Sequence, residues 1–279
     1  MDGAADRVGD GGPGRRRTTV LALGVGIAVD VEGDRAAELH DALAHRWSCC
    51  RSAPTTPVVA TVRAVLDSDP RVTEAADTAG LASRPRLDDL LQLVTREVTV
   101  AAIDAVSGEH LLLHAACLAD PVTGRATVLV AAGGTGKTTA AQVLGPGRWY
   151  VTDETVAVRA DRSVVPYPKP LSVRRNAVGE HKDEVAPPDL ELAPAPATAI
   201  LPVAQILLLD RVQGLAGRPV PTMLSTLDAI ESLVPHTSHL TDLHRPLHRL
   251  AELVEAVGGA KLVRYTEAAD LAPLLSGAT

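Results

Sequence analysis

The residues able to do chemistry gather between His114 and Arg175, and the densest group is Ala131-Ala132-Gly133-Gly134-Thr135-Gly136-Lys137-Thr138. This octet fits the Walker A pattern, with Ala for the first Gly, and it lies between an apolar strand-like run and a helix-like run. A polyphosphate has to be wrapped by main-chain N–H groups pointing inward, and Gly133, Gly134 and Gly136 let the backbone turn tightly enough to do so. Ala132 and Thr135 complete the loop. The helix starting at Lys137 and running through Thr139 adds unpaired N–H groups and the positive end of its dipole. Lys137 is expected to reach the β and γ phosphates. Thr138 is expected to ligate a bridging Mg2+, which keeps several waters and takes few protein oxygens. The implied ligands are ATP and Mg2+; a plain glycine turn is the other reading of the octet.

Two carboxylates, Asp153 and Glu154, follow the strand-like run Trp149-Tyr150-Val151-Thr152. Acids at a strand end suit a metal-bound phosphate, one holding the cation while the other accepts a proton. Asp210, at the end of the apolar run Ile206 to Leu209, is a rival acid, and Arg211 beside it could pair with it. The stretch Pro168-Lys169-Pro170-Leu171-Ser172-Val173-Arg174-Arg175 leaves two or three cations near the site. Arg174 or Arg175 would neutralise charge on a transferring phosphoryl group; each alone also reads as an exposed, solvated cation. His114, on the strand before the loop, is either a site residue or a core histidine held by hydrogen bonds. His236, His239, His244 and His248 form a cluster, but Pro246 interrupts the last pair and no Cys or ordered acid completes a zinc set. Solvated or capping histidines are the expectation there.

The elements that must position these groups are legible from periodicity. Arg84 to Val106 repeats Leu and Val at three- and four-residue steps, an amphipathic helix ending at Gly108. His110 to Ala119 and Arg125 to Val130 read as a hairpin whose second strand carries the phosphate loop, and Thr155 to Arg159 with Ser163 to Tyr167 as another. Ahead of them, a strand to Val31, a helix over 34–46 and a strand around Pro57 to Leu66 make a small α+β lobe. Beyond them come helices opened by Ser225 and Pro246, a last strand over Lys261 to Tyr265, and a terminal helical segment. The expected organisation is a disordered tail (1–17), the small lobe (18–83) and an α/β phosphate-loop domain (84–279). Within it, the proline-rich residues 177–200 read as a mobile loop.

Composition bounds the function. The chain has 279 residues, no Phe, and a net charge of −7, so cores must be built from Leu, Val and Ala. A nucleic-acid surface would want basic stripes and stacking platforms. Three cysteines without metal-type spacing point to a reduced, cytosolic chain. Arg15-Arg16-Arg17 before an apolar run imitates an export signal, but the run is short and lacks a cleavage site, so a buried strand is expected. No transmembrane span is visible, and no membrane partner is expected.

His114-Ala115-Ala116, the loop AAGGTGKTT, VTDETVAV and PKPLSVR together resemble the HPr kinase/phosphorylase superfamily over roughly residues 108–175. The resemblance implies a carboxykinase-like phosphate-loop fold and an ATP-dependent kinase acting on a Ser or Thr hydroxyl. It places Asp153 at the general base, Glu154 at the metal-side acid and His114 at the family's histidine. Ala131, Gly133 and Glu154 depart from the usual Gly, Ser and Asp, and the glycine-containing signature that follows the acid pair in HPr kinases is missing. The chain is more similar to compact stand-alone homologues such as lasso-peptide kinases, which implies a peptide or protein acceptor and possible homo-oligomers. An ATPase switch using Asp210, or a small-molecule kinase, are the alternatives.

Overall fold

The computed structural model describes residues 14–174, 182–215 and 218–276, and these form a mixed α/β protein. Strands β1 (Arg15–Ala22) and β2 (Val25–Glu32) pair antiparallel around Leu23 and Gly24, both at positive φ. The apolar run at the chain start is therefore a hairpin, not one strand. Its first strand begins inside the expected tail because Arg15 and Arg17 pair with the buried Asp30 on β2; residues 1–13 lie outside the described residues. Helix α1 (Ala36–Arg46) leads to β3 (Val58–Val65), parallel to β2. Helix α2 (Pro70–Thr78), absent from the sequence reading, is capped by the Asp69 side chain and followed by β4 (Ala82–Ser83), parallel to β3.

The amphipathic helix is α3 (Leu87–Ala105), and its stripe of Leu90, Leu91, Val94, Val98 and Ala102 is buried. It packs in one continuous core with the lobe and with Leu112, Ala157, Val165 and Tyr167 of the larger unit.

That larger unit is organised on β5 (Leu111–Ala119). It pairs antiparallel with β6 (Ala126–Val130), whose end leads into the phosphate loop and α4 (Lys137–Leu144). On its other side β5 pairs with two successive strands, β7 (Trp149–Thr152) and β8 (Thr155–Val158), divided by Asp153 and Glu154. The chain continues through β9 (Ser163–Val164), the ribbon β10 (Leu171–Arg174) with β11 (Lys182–Val185), and β12 (Ala193–Pro194). Then come β13 (Leu201–Arg211), β14 (Thr222–Met223), α5 (Thr226–Leu233), β15 (Thr237–Ser238), α6 (Pro246–Ala256), β16 (Ala260–Tyr265) and α7 (Ala272–Ser276). β13 lies parallel to β6 and β16, while its start pairs with β9, so β5, β8, β9, β13 and β6 close into a ring. Alternation sorts the faces. Leu113, Ala115 and Cys117 join a core with α5 and α6, whereas Ala116 and Leu118 join one with α4 and α7.

The stretch expected as a mobile loop differs over its described part, 182–200. It holds β11, a 3-10 turn and β12, with Leu192 and Ala195 buried. Pro187 and Pro188 start the 3-10 turn and Pro194 sits in a two-residue strand, positions that tolerate a missing N–H. Residues 177–181 lie outside the described residues. No helix among the described residues is long and apolar enough to cross a membrane.

Candidate functional site

The loop leaves β6 at Val130 and reaches α4 through Gly134 and Gly136, both at positive φ, where a Cβ would strain the backbone. Lys137 folds back over the loop, its Nζ donating to the carbonyls of Ala131 at 2.7 Å and Ala132 at 3.2 Å. Burial lowers its pKa, with Asp153 and Glu154 acting the other way. The Thr135 hydroxyl donates to the Ala132 carbonyl, and Tyr265 of β16 donates to the Thr135 carbonyl at 3.2 Å. The loop is thus held from within and from a neighbouring strand, with its glycines facing an open cleft.

Opposite it, the junction of β7 and β8 interrupts pairing with β5, and such irregularities re-aim side chains. Asp153 is buried, and each of its oxygens is engaged. Oδ2 accepts from the Thr138 hydroxyl at 2.7 Å, and Oδ1 accepts from the Tyr150 hydroxyl at 3.0 Å. Lys169, 1% exposed, lies between the two acids, its Nζ 3.1 Å from Asp153 and 3.0 Å from Glu154. Burial works against its charge, but Asp153, Glu154 and Glu184 outweigh it and hold the ammonium well above the ordinary lysine value. Glu154 keeps 43% of its side chain exposed toward the cleft.

Behind Lys169 stands Glu184 on β11, buried, accepting from Ser172, with its other oxygen unpartnered among the described residues. Burial raises its pKa, against Lys169 and the hydrogen bond from Ser172. β11 lies against α3, so these buried charges sit beside the helix that shares its core with the small lobe.

The cleft, about 500 Å³, is lined by the loop glycines, Lys137, Thr138 and Thr139, by the acid pair, and by Lys169, Arg174, Lys182, Arg211 and His114. Cations outnumber carboxylates, which suits a polyphosphate. His114 is half-buried, and burial followed by Lys137 lowers its pKa, so the imidazole is neutral at neutral pH. Ala132 and Thr135 contribute their carbonyls to the loop's own hydrogen bonds. Arg175 lies outside the described residues.

Asp210 stands apart. Its carboxylate is half-exposed and 3.5 Å from Arg264, while Arg211, expected beside it, instead reaches Glu267 and the Thr266 carbonyl. Among the described residues no three His, Cys, Asp or Glu side chains converge as a metal cage. His239 lies near Asp104 and Asp242. The donors that suit Mg2+ are hard oxygens, the Thr138 hydroxyl and Asp153 carboxylate, already side by side.

Sequence reading placed Lys169 only within a stretch leaving two or three cations near the site, and it did not single out Tyr150 or Glu184. Lys169 was in view within PKPLSVR, and two flanking prolines around a lone lysine were the available signal. Comparison with known proteins finds no family model and no curated protein that matches the chain.

Proposed function

We propose that the protein is an ATP-dependent phosphotransferase of the HPr kinase-like kind, passing a γ-phosphoryl group to a hydroxyl of a peptide or protein. The observation that carries this reading is the joint between Thr138 and Asp153, which brings the loop's hydroxyl and an acid pair together in one cation-rich cleft. A structural glycine turn has no need of that assembly. Lys137, released from the loop carbonyls, would bind the donor's phosphates, and Arg174 and Lys182 would screen charge on the transferring group.

Thr138 and Asp153 would hold Mg2+, which would neutralise phosphate charge when bound. The geometry favours the reverse of the division expected from the family resemblance. Asp153 is buried with both oxygens engaged, whereas Glu154 is open to the cleft and within reach of an acceptor hydroxyl. Glu154 is therefore the group that takes the proton, and Lys169 fixes its position. The neutral His114 adds a hydrogen-bonding group beside the transfer path.

The test is incubation of the purified chain with γ-labelled ATP, Mg2+ and Ser- or Thr-containing peptides. Label on the peptide supports the reading. Label on a metabolite alone, or free phosphate alone, would replace it with a small-molecule kinase or an ATPase switch.

A further inference from the structure

The neighbours of β5 are broken on both sides, and both breaks fall beside His114. On one side β7 ends with Thr152 opposite Cys117 and β8 starts with Thr155 opposite His114, so Asp153 and Glu154 fill the interval. On the other side β6 ends with Val130 opposite Ala115, and β15 starts with Thr237 opposite Leu113. Only His114 separates those two registers. The glycine-rich loop departs from this second break, and the 3-10 turn Val234–His236 arrives at it.

His236 is thereby brought to the end of the cleft that His114 and Lys137 form. The Thr237 hydroxyl fixes its approach by donating to the Val234 carbonyl at 2.8 Å. Burial and then the Lys137 ammonium lower the pKa of His236. The same two causes act on His114, with Glu154 opposing them and His236 adding to them, so the two rings and the ammonium share one field. At neutral pH His236 is a neutral imidazole with one N–H to donate.

Its lack of partners is a second observation. His40, His45 and His239 each stand beside a carboxylate. The partly buried ring of His236 makes no hydrogen bond or ion pair among the described residues.

In the phosphotransferase reading, the loop N–H groups and Thr138 hold the inner phosphates, while the transferring one faces Glu154. The Glu154 carbonyl accepts from the Ala115 N–H at 3.1 Å, which sets that acid on the opposite flank of His114 from His236. The transferring phosphate would thus lie between Lys137, the acid pair and the two histidines. Asp153 and Glu154 border it with like charge, offset in part by Lys169. A donor on the side away from those acids is what such an anion needs.

We propose that His236 donates a ring N–H to the γ-phosphate of the bound nucleotide, completing from the β15 side the anion site begun by Lys137. This rests on the phosphotransferase reading and adds a residue that tells ATP from ADP.

The test is titration calorimetry of the full chain with Mg-ATP and with Mg-ADP, for wild type and two variants. His236→Phe keeps a ring but no N–H, and is expected to weaken Mg-ATP about tenfold while Mg-ADP binds as in wild type. His236→Gln keeps an N–H donor and should recover most of the loss. An unchanged ratio of the two affinities in His236→Phe, equal weakening of both nucleotides, or a Gln variant as weak as the Phe variant would overturn the assignment. Failure of the wild type to bind either nucleotide would remove the phosphotransferase reading and this assignment with it. Binding of both with the ratio unmoved would remove His236 alone.

Discussion

The hydroxyl of Thr138 donates to Oδ2 of Asp153 across 2.7 Å, tying the first turn of α4 to the junction of β7 and β8. Those segments come from opposite sides of β5, so the bond joins the glycine-loop half of the cleft to its acidic half. Preorganisation of this kind is how a phosphotransferase lowers its barrier, because little covalent chemistry is left to the protein.

Lys137→Ala is expected to lower phosphoryl transfer by roughly 100-fold or more, the scale of losing one preorganised donor. Titration calorimetry with Mg-ATP and label-transfer rates check this together. Wild-type affinity and turnover in a folded variant would remove the phosphate-loop reading.

The acids are separable. Glu154→Gln is expected to keep Mg-ATP binding while losing transfer, whereas Asp153→Asn is expected to weaken Mg-ATP binding as well. Asp210→Asn, altering a group paired with Arg264, should leave both near wild type. Initial rates and affinities for the three variants in one buffer decide the matter, and loss confined to Asp210→Asn would favour an ATPase switch.

Removing the buried cation tests the network behind the site. Lys169→Met leaves Asp153, Glu154 and Glu184 without their counter-charge. Breaking a buried ion pair from one side destabilises by about 3–5 kcal/mol. Denaturant unfolding should show the loss, and adding Glu184→Gln should return part of it. An unchanged midpoint in Lys169→Met would show that the network contributes nothing to folding.

The small lobe carries an acid-sensitive contact. Hydrogen bonds and charge from Arg17 lower Asp30 to about 2, with burial opposing and Arg15 assisting. A folded-state value below the unfolded one gives stability that is present above about pH 4 and lost as pH falls toward 2. Asp30→Asn should therefore reduce stability at neutral pH and flatten the acid limb of its pH dependence. Parallel wild-type and variant curves down to pH 2 would contradict this.

Most elements that carry the site were legible because each has a local cause. Gly-Lys-Thr at a strand-helix junction, the three-and-four spacing from Leu87 to Ala101, and Asp120 to Gly124 between apolar runs act within a few residues. What stayed hidden depends on distant partners. Lys169 becomes a site residue only because Asp153 and Glu154 reach it, and Arg15 joins a strand only because Asp30 awaits it. Similarly, prolines in 187–196 look like loop composition until Leu192 finds its place beside Gly145.

The ring of β5, β8, β9, β13 and β6 also bears on how the chain reaches this state. Val203 must find Ala126, and Leu201 must find Val164, before the ring can close. Pairings so far apart in sequence close slowly, whereas the β1–β2 hairpin and α3 rely on near neighbours. On a ribosome the lobe is complete long before β13 emerges. The glycine-rich loop hangs from β6, so on the proposed reading nucleotide binding is acquired late in folding, and Mg-ATP added to refolding chain is expected to act only after ring closure.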